Sequence, residues 1–458
     1  MRSRMTRFGV LQVVALICTL SALLHTQKSL LFISALKVSP GYSSGSVTSA
    51  AAASAGSPRV AAHGFSSSTV HGANNATSST TTANGFNYTW SLIHYTPKDN
   101  IDGFSSIYRL NECVVLLGKR KATPDFQVAR ADLCQSPPDP HSGMIKWDII
   151  GGIPGYTGAH TYYFGSISDA YNDSNTVISA TGDTGNPCII RSTDQGKTWT
   201  TVLSYRGKSE PRAIFSPMYL KEKGEWAAYW RDDSTNTYVL RSHDDGLTWT
   251  KQNSTQGLHV GPRRVQIYNN TLYYSGVFGP EKWQGLYTAG YSVAGVTNWT
   301  GILVGKPIFA GVTVTSRGTV LAGEYATGAR PVYVNLYRKG KDDSTFSLVL
   351  SGTAESSLVY FRQITEVVPG VLFAFLSCDE NSQNDKDMQI YKSLDDGLTW
   401  TQEQKLMFKV PDGNGGFTTT GVNAVYGTVV MTDPVTKRKF LLAAAQPNNM
   451  VLRLDWDQ

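Results

Sequence analysis

The chain writes one phrase three times: RSTDQGKTWT at Arg191–Thr200, RSHDDGLTWT at Arg241–Thr250 and KSLDDGLTWT at Lys392–Thr401. The shared text is S-x-D-x-G-x-T-W-T. Gly196, Gly246 and Gly397 can take positive φ at no steric cost. Asp194, Asp244 and Asp395 can accept hydrogen bonds from backbone N–H groups inside a turn. Trp199, Trp249 and Trp400 each offer a large apolar face for burial between neighbouring sheets, worth about 2–3 kcal/mol. The phrase solves a folding problem, a short reversal between two strands. It does not read as three catalytic aspartates.

The spacing sets the architecture. Trp249 follows Trp199 by 50 positions, and Trp400 follows Trp249 by 151, about three times as many. A period of roughly 50 residues fits a propeller blade, so two blades with worn motifs belong between Trp249 and Trp400. SVAGVTNWT at Ser292–Thr300 keeps the Ser, the Trp and the final Thr. Asp343–Phe346 puts an aromatic one period later, and Trp147 falls one period before Trp199.

Each period also divides into four apolar strands. HTYYFGSI, TVISATGD, CIIRSTD and TWTTVLSY make one set, starting at His160. AIFSPMYL, EWAAYWRD, TYVLRSHD and TWTKQN make the next, and FRQITEVV, VLFAFLSCD, MQIYKSLD and TWTQEQKL make a later one. The phrase always joins strand three to strand four. This lattice gives six complete blades from about 104 to 410. Three strands are left over at the end (GVNAVYGTVVM, KFLLAAAQ and MVLRLDW) and one orphan, TWSLIHYT at Thr89–Thr96, at the start. The expected fold is an all-β, seven-bladed propeller of four-stranded antiparallel blades, in which the N-terminal strand completes the last blade and leaves no open edge there. The alternative is six blades with an irregular tail.

Composition agrees with many short strands. Charged residues make up 17% of the 458, and glycines number 43. Residues 1–86 hold Arg2, Arg4, Arg7, Lys28, Lys37 and Arg59 and no acid, so the other 35 basic residues balance the 35 acidic ones. A nucleic-acid role therefore has no electrostatic support. The three arginines precede an apolar run, Phe8–Leu24. Residues 1–37 read as a signal peptide or signal anchor, and 38–86 as a flexible stem rich in Ser, Thr, Ala and Gly. The propeller is assigned to 87–458. Six sequons, at Asn75, Asn87, Asn172, Asn253, Asn269 and Asn298, fit a glycoprotein of the secretory pathway, either secreted or a type II membrane protein of the Golgi or cell surface. The strand map puts Cys113 at the start of one strand and Cys134 at the end of its neighbour, and so predicts a disulfide between them. Cys188 and Cys378 lie on distant blades and are not expected to pair.

The repeated phrase and its period resemble the Asp-box, or BNR, repeat of sialidases, sortilin-type receptors and several glycan-active propellers. The resemblance covers about 87–458. It does not reach the early Phe/Tyr-Arg-Ile-Pro motif of sialidases: the first inner strand reads SSIYRLNECV, with no Pro after Arg109, and SEPRAIF at Ser209–Phe215 is not that motif either. What the resemblance implies is a ligand on the face opposite the boxes, where second strands end and first strands begin.

On that register stand His160, Arg212, Arg263 with Arg264, Arg362 and Asn423 at first-strand starts. Lys119 with Arg120, Asp183, Arg231 with Asp232 and Asp233, Glu324 with Tyr325, Asp379 with Glu380, and Gln446 stand at second-strand ends. A polar residue at a strand end is unremarkable alone, but a propeller axis gathers these positions into one funnel. The first reading is a glycoside hydrolase of acidic sugars, sialidase-like. Carboxylates from Asp183, Asp232, Glu324 and Asp379 would act as general acid and partner, and Tyr325 as nucleophile. His160, Arg212, Arg231, Arg263 and Arg362 would hold the substrate's acidic groups. The second reading is a non-catalytic glycan- or protein-binding propeller, with Tyr156, Phe278, Trp283 and Tyr325 stacking on sugars. The third is an assembly factor. No metal-ligand spacing and no cofactor motif are visible.

Overall fold

The computed structural model describes residues 78–80, 86–95, 103–120, 127–140, 143–151, 163–165, 175–180, 188–205, 213–231, 237–252, 265–278, 283–290, 299–327, 332–354, 358–378, 388–412, 416–446 and 450–457. The N-terminal apolar run lies outside them, as do Asn75, Asn172, Asn253 and Asn298. Among the described residues no helix is long and apolar enough to cross a membrane.

The first strands among the described residues are a pair, β1 (Ser78–Thr80) and β2 (Tyr88–His94). The first four-stranded antiparallel sheet is β3 (Gly103–Arg109), β4 (Val114–Arg120), β5 (Gln127–Asp132) and β6 (Asp148–Gly151). The second is β7 (Tyr163–Gly165), β8 (Val177–Ala180), β9 (Cys188–Ser192) and β10 (Thr200–Ser204). The third is β11 (Ala213–Leu220), β12 (Glu225–Arg231), β13 (Thr237–Ser242) and β14 (Thr250–Gln252). The fourth is β15 (Val265–Tyr268), β16 (Thr271–Phe278), β17 (Trp283–Gly290) and β18 (Thr300–Val304).

An eight-stranded sheet follows. Its strands are β19 (Ile308–Val314), β20 (Val320–Thr327), β21 (Val332–Lys339), β22 (Ser347–Ala354), β23 (Leu358–Val368), β24 (Val371–Cys378), β25 (Gln389–Ser393) and β26 (Thr401–Gln402). Its two halves are joined where Tyr325–Thr327 pair with Leu358–Tyr360. A hairpin, β27 (Met407–Pro411) and β28 (Phe417–Gly421), precedes β29 (Ala424–Thr432), β30 (Lys439–Gln446) and β31 (Met450–Trp456). The last sheet runs β1-β2-β31-β30-β29, with Trp90 opposite Leu454. The N-terminal strand thus joins the C-terminal one.

Burial explains why the middle strands read as unbroken apolar text. Val114–Leu117 are all at 1% exposure or less, as are Leu441–Ala445, because neighbouring sheets cover both faces. Fourth strands lie at the rim, so TKQ at Thr250–Gln252 and TQ at Thr401–Gln402 are exposed. The aromatic of each period stands one residue before its fourth strand: Trp147, Trp199, Trp249, Trp299, Phe346 and Trp400.

Six apolar clusters carry the packing from sheet to sheet and back to the start. Leu116, Ile178, Trp199 and Trp226 link the first three sheets. Tyr229 and Tyr274 link the third and fourth, and Leu286 with Ile308 the fourth and the eight-stranded sheet. Leu321 and Phe361 join the halves of the eight-stranded sheet. There Gly311 and Gly323 make room for Phe361: a Cβ on Gly323 would stand 2.3 Å from Phe361 Cβ. Phe373 and Phe375 meet Trp90 edge-on on the way to the last sheet, each with centroids 6.1 Å apart. Phe440 and Leu442 of the last sheet then pack on Ile107 and Leu117 of the first. The chain is an all-β protein with a β-propeller arrangement of small antiparallel sheets.

The three repeated turns share one bonding scheme. The backbone N–H of Gly196, Gly246 and Gly397 donates to the hydroxyl of Ser192, Ser242 and Ser393 at 2.8 Å. Asp194, Asp244 and Asp395 accept from the backbone N–H of Thr198, Thr248 and Thr399 at 2.8, 2.9 and 2.9 Å. They accept from the same threonines' hydroxyls at 2.7, 2.6 and 2.6 Å. Each Trp Nε1 donates to the glycine carbonyl at 3.0 Å. The glycines have φ of +81°, +84° and +82°. They also abut the preceding second strand: a Cβ on Gly246 would stand 2.4 Å from Ile178 Cδ1.

An arginine from the third strand before each turn clips that turn in place. Arg130, Arg191 and Arg338 donate from Nε to the carbonyls of Gln195, Asp245 and Asp396 at 2.9, 2.7 and 2.9 Å. Arg191 and Lys392 are the residues that precede the shared text of their own phrases. Lys392 faces the last sheet, which holds β2, and there the partners change. Lys392 Nζ lies 2.9 Å from Glu403 Oε1 and donates to Tyr88 Oη at 3.3 Å, while Tyr88 Oη donates to Glu403 Oε2.

Ser78–Thr80, placed by composition in the stem, form β1 against β2; backbone pairing requires no apolar side chain. The β27–β28 hairpin was not expected. Phe408 and Val410 alternate into the core while Met407 and Phe417 stay exposed. Cys113 and Cys134 are disulfide-bonded, with Cα atoms 5.2 Å apart.

Candidate functional site

Antiparallel strands put the repeated turns at one end of the sheets and the second-strand ends at the other. The best-described group at that other end lies on β19–β21. Glu324 sits in register with Ile308 near the start of β19. It is buried, and both of its oxygens are engaged. Oε1 accepts from Tyr337 Oη at 2.8 Å, and Oε2 accepts from Asn335 Nδ2 at 2.7 Å and its backbone N–H at 3.2 Å. Lys306, half-buried just before β19, lies with its ammonium 5.3 Å from the Tyr337 ring centroid. A hydrogen bond with Tyr337 and the Tyr337 and Glu324 charges raise the Lys306 ammonium above its ordinary value. Burial, aided by Glu324, raises the Tyr337 phenol. At neutral pH the row therefore holds a protonated lysine and a protonated phenol, with the Glu324 oxygens accepting from Tyr337 and Asn335. It can present a cation to an anionic ligand and pass a proton along a short line.

The expected nucleophile, Tyr325, is not the tyrosine that meets Glu324. Adjacent residues of a strand point to opposite faces. Glu324 turns toward β21, whereas Tyr325 stands opposite Tyr360 of β23. Arg362 is buried at the next seam, its guanidinium 3.7 Å from the Tyr426 ring centroid and 5.0 Å from that of Tyr360. Those contacts hold the sheets together by cation–π attraction.

Of the other expected site residues, His160, Asp183, Arg212, Asp232, Arg263 and Asp379 lie outside the described residues. Arg231 ends β12 opposite Ala213 and Thr237; its side chain is not among those described. Among the described residues no group of three or more His, Cys, Asp or Glu could hold a metal ion.

Sequence reasoning missed Lys306, Tyr337 and Asn335. Lys306 stands at a first-strand start, the register that picked out Arg212 and Arg362, and that rule finds it. Tyr337 and Asn335 belong to a third strand, and only the cross-strand pairing of Gly323 with Leu336 brings them to Glu324.

No family model matches the chain, and no curated protein matches it. Solved structures similar to it include an ulvan lyase, described as a new family of polysaccharide lyase. It is 8% identical, with 79% of this chain and 95% of that one covered, at a TM-score of 0.44. Another is Sqt1 of Saccharomyces cerevisiae, 11% identical, covering 79% and 98%, at 0.44. A third is the WD40 β-propeller domain of Doa1, 10% identical, covering 81% and 97%, at 0.42.

Proposed function

We propose that residues 87–458 form a seven-bladed, Asp-box-type propeller that acts on acidic glycans at the face where its second strands end. The blade count takes the two halves of the eight-stranded sheet as separate blades and the β2–β31 sheet as the last. The functional reading rests on one observation, the Glu324–Tyr337–Lys306 row. Lys306 would take the carboxylate or sulfate of the sugar. Tyr337, held by Glu324, would donate or relay the proton that a glycosidic cleavage needs. The sequons and the basic, apolar N-terminus support a secretory route for such a protein, as a secreted or anchored form.

The test is a panel of acidic oligosaccharides assayed for both product and binding with Lys306→Ala, Tyr337→Phe and Glu324→Gln. Loss of turnover in Tyr337→Phe and weaker binding in Lys306→Ala are expected. Unchanged turnover and binding in all three variants would remove the assignment. A second reading, a glycan-binding propeller without chemistry, is favoured by the saturation of both Glu324 oxygens by protein donors. Binding with no product release from any sugar of the panel selects it.

A further inference from the structure

We propose that the site on β19–β22 takes an oligosaccharide rather than a single sugar, laid outward across the sheet, with its acidic residue at Lys306 and an uncharged ring stacked on Tyr333. The inference rests on the acidic-glycan reading above and adds a direction and a length to it. Side chains two apart on a strand share a face. Tyr333, Asn335 and Tyr337 therefore stand on the side of β21 toward which Glu324 turns. The next strand out continues the row: Ser351 pairs with Asn335 and Thr353 with Tyr333, and the Ser351 hydroxyl donates to Asn335 Oδ1 at 2.8 Å. At the inner end the segment before β19 is pinned. The Lys306 carbonyl accepts from the Ile308 backbone N–H at 2.8 Å, and the Pro307 carbonyl from that of Tyr325 at 2.8 Å. Beside Lys306 there is room, since a Cβ on Gly305 would meet nothing within 4 Å.

Neighbouring strands lie about 4.8 Å apart, so the row from β19 to β22 measures about 14 Å, the reach of about three linked pyranose rings. Its two ends differ in chemistry. Lys306 offers a cation for a carboxylate. The outer half, Asn335, Ser351, Thr353 and Tyr333, carries no charge. Tyr333 is 65% exposed, whereas Val332 and Val334 on either side of it are buried. A pyranose has a face of C–H groups that suits the negative face of an aromatic ring. Its rim of hydroxyls suits the serine and threonine hydroxyls beside that ring. The class of ligand that matches both ends is a chain in which acidic and uncharged sugars alternate.

The experiment titrates the full chain calorimetrically with hyaluronan-derived di- and tetrasaccharides, which alternate a uronic acid with an N-acetylhexosamine. The tetrasaccharide should bind about tenfold more tightly than the disaccharide, the scale of one aromatic contact. Tyr333→Ala should erase that ratio, and Tyr333→Phe, which keeps the ring, should retain it. Lys306→Ala should weaken both lengths alike. A ratio near one in the parent chain, or the parent ratio kept in Tyr333→Ala, overturns this inference; if Lys306→Ala still weakens binding, the acidic-glycan reading stands without it. Binding at neither length overturns it as well, and the wider panel of acidic sugars then decides the acidic-glycan reading separately.

Discussion

Removing the Lys392 ammonium should loosen the seam between the eight-stranded sheet and the last sheet, where β25 meets β2. The Lys392 and Glu403 side chains are only 5% and 9% exposed, and their charged atoms lie 2.9 Å apart. Lys392→Met keeps the length of the stem but leaves the Glu403 carboxylate buried with Tyr88 Oη as its remaining partner among these three. Breaking one side of a buried pair costs about 3–5 kcal/mol, which raises the unfolded fraction roughly a hundred- to several-thousand-fold. The double variant Lys392→Met/Glu403→Leu removes both charges and should recover most of the loss, because a buried ion pair and an apolar replacement of similar volume are nearly equivalent. Urea unfolding of the full chain, followed by tryptophan fluorescence, measures both. Peptide-level hydrogen exchange over 88–94 reports whether β2 opens first. A Lys392→Met protein within about 1 kcal/mol of the parent, or a double variant as unstable as the single, would refute the reasoning.

Other outcomes follow from the turns. In Asp194 and Asp395, burial raises the carboxyl but hydrogen bonds from Thr198 and Ser192, and from Thr399 and Ser393, outweigh it, so both titrate below the ordinary value. Asp244 is lowered to about 2, first by the Thr248 hydroxyl and then by its backbone N–H. Because these folded-state values are depressed, the stability they contribute is complete above the ordinary 3.8 and is lost as pH falls toward about 2. Acid unfolding of Asp194→Ala/Asp244→Ala/Asp395→Ala should start from lower stability and show a flatter profile across that window, and an unchanged slope would contradict it. Gly246→Ala should cost more than Gly305→Ala: both have strongly positive φ, +84° and +80°, worth about 1–2 kcal/mol, but only Gly246 has a neighbour, Ile178, in the way. Equal thermal shifts would deny the seam contact. Arg191→Ala should lower stability by about 1–3 kcal/mol, since it removes the bonds at 2.7 and 2.9 Å to Asp245. It should also speed amide exchange at 242–249; unchanged exchange would place the clip outside the energetics.

The fold was legible where sequence text is local. A Gly-containing turn followed by Thr-Trp states its own geometry, and the period of the tryptophans places the strands between. The orphan TWSLIHYT could be assigned to a sheet because it copies the start of a fourth strand. What stayed hidden depends on partners far apart in the chain. Nothing around Lys392 names Tyr88, 304 positions away, and nothing around Arg191 names Asp245 in the next sheet. For the site, the register of strand ends pointed to Glu324 but not to its partner. Tyr325 is adjacent in sequence and pairs with Tyr360 of β23, while Tyr337 is thirteen positions on and donates to Glu324. Pleating and cross-strand register decide such pairs, and neither is written in a single strand.

The strand β2 is made long before β31, the strand it pairs with in the last sheet. Asn87 and Asp457 bond across 370 positions; at a translation rate of about 5–20 residues per second, β2 waits roughly 20–75 s for its neighbour to leave the ribosome. Through that interval Tyr88 and Trp90 are bare apolar surface on a nascent chain. Chaperones that bind emerging polypeptides would find their target at this segment until β31 arrives to cover it.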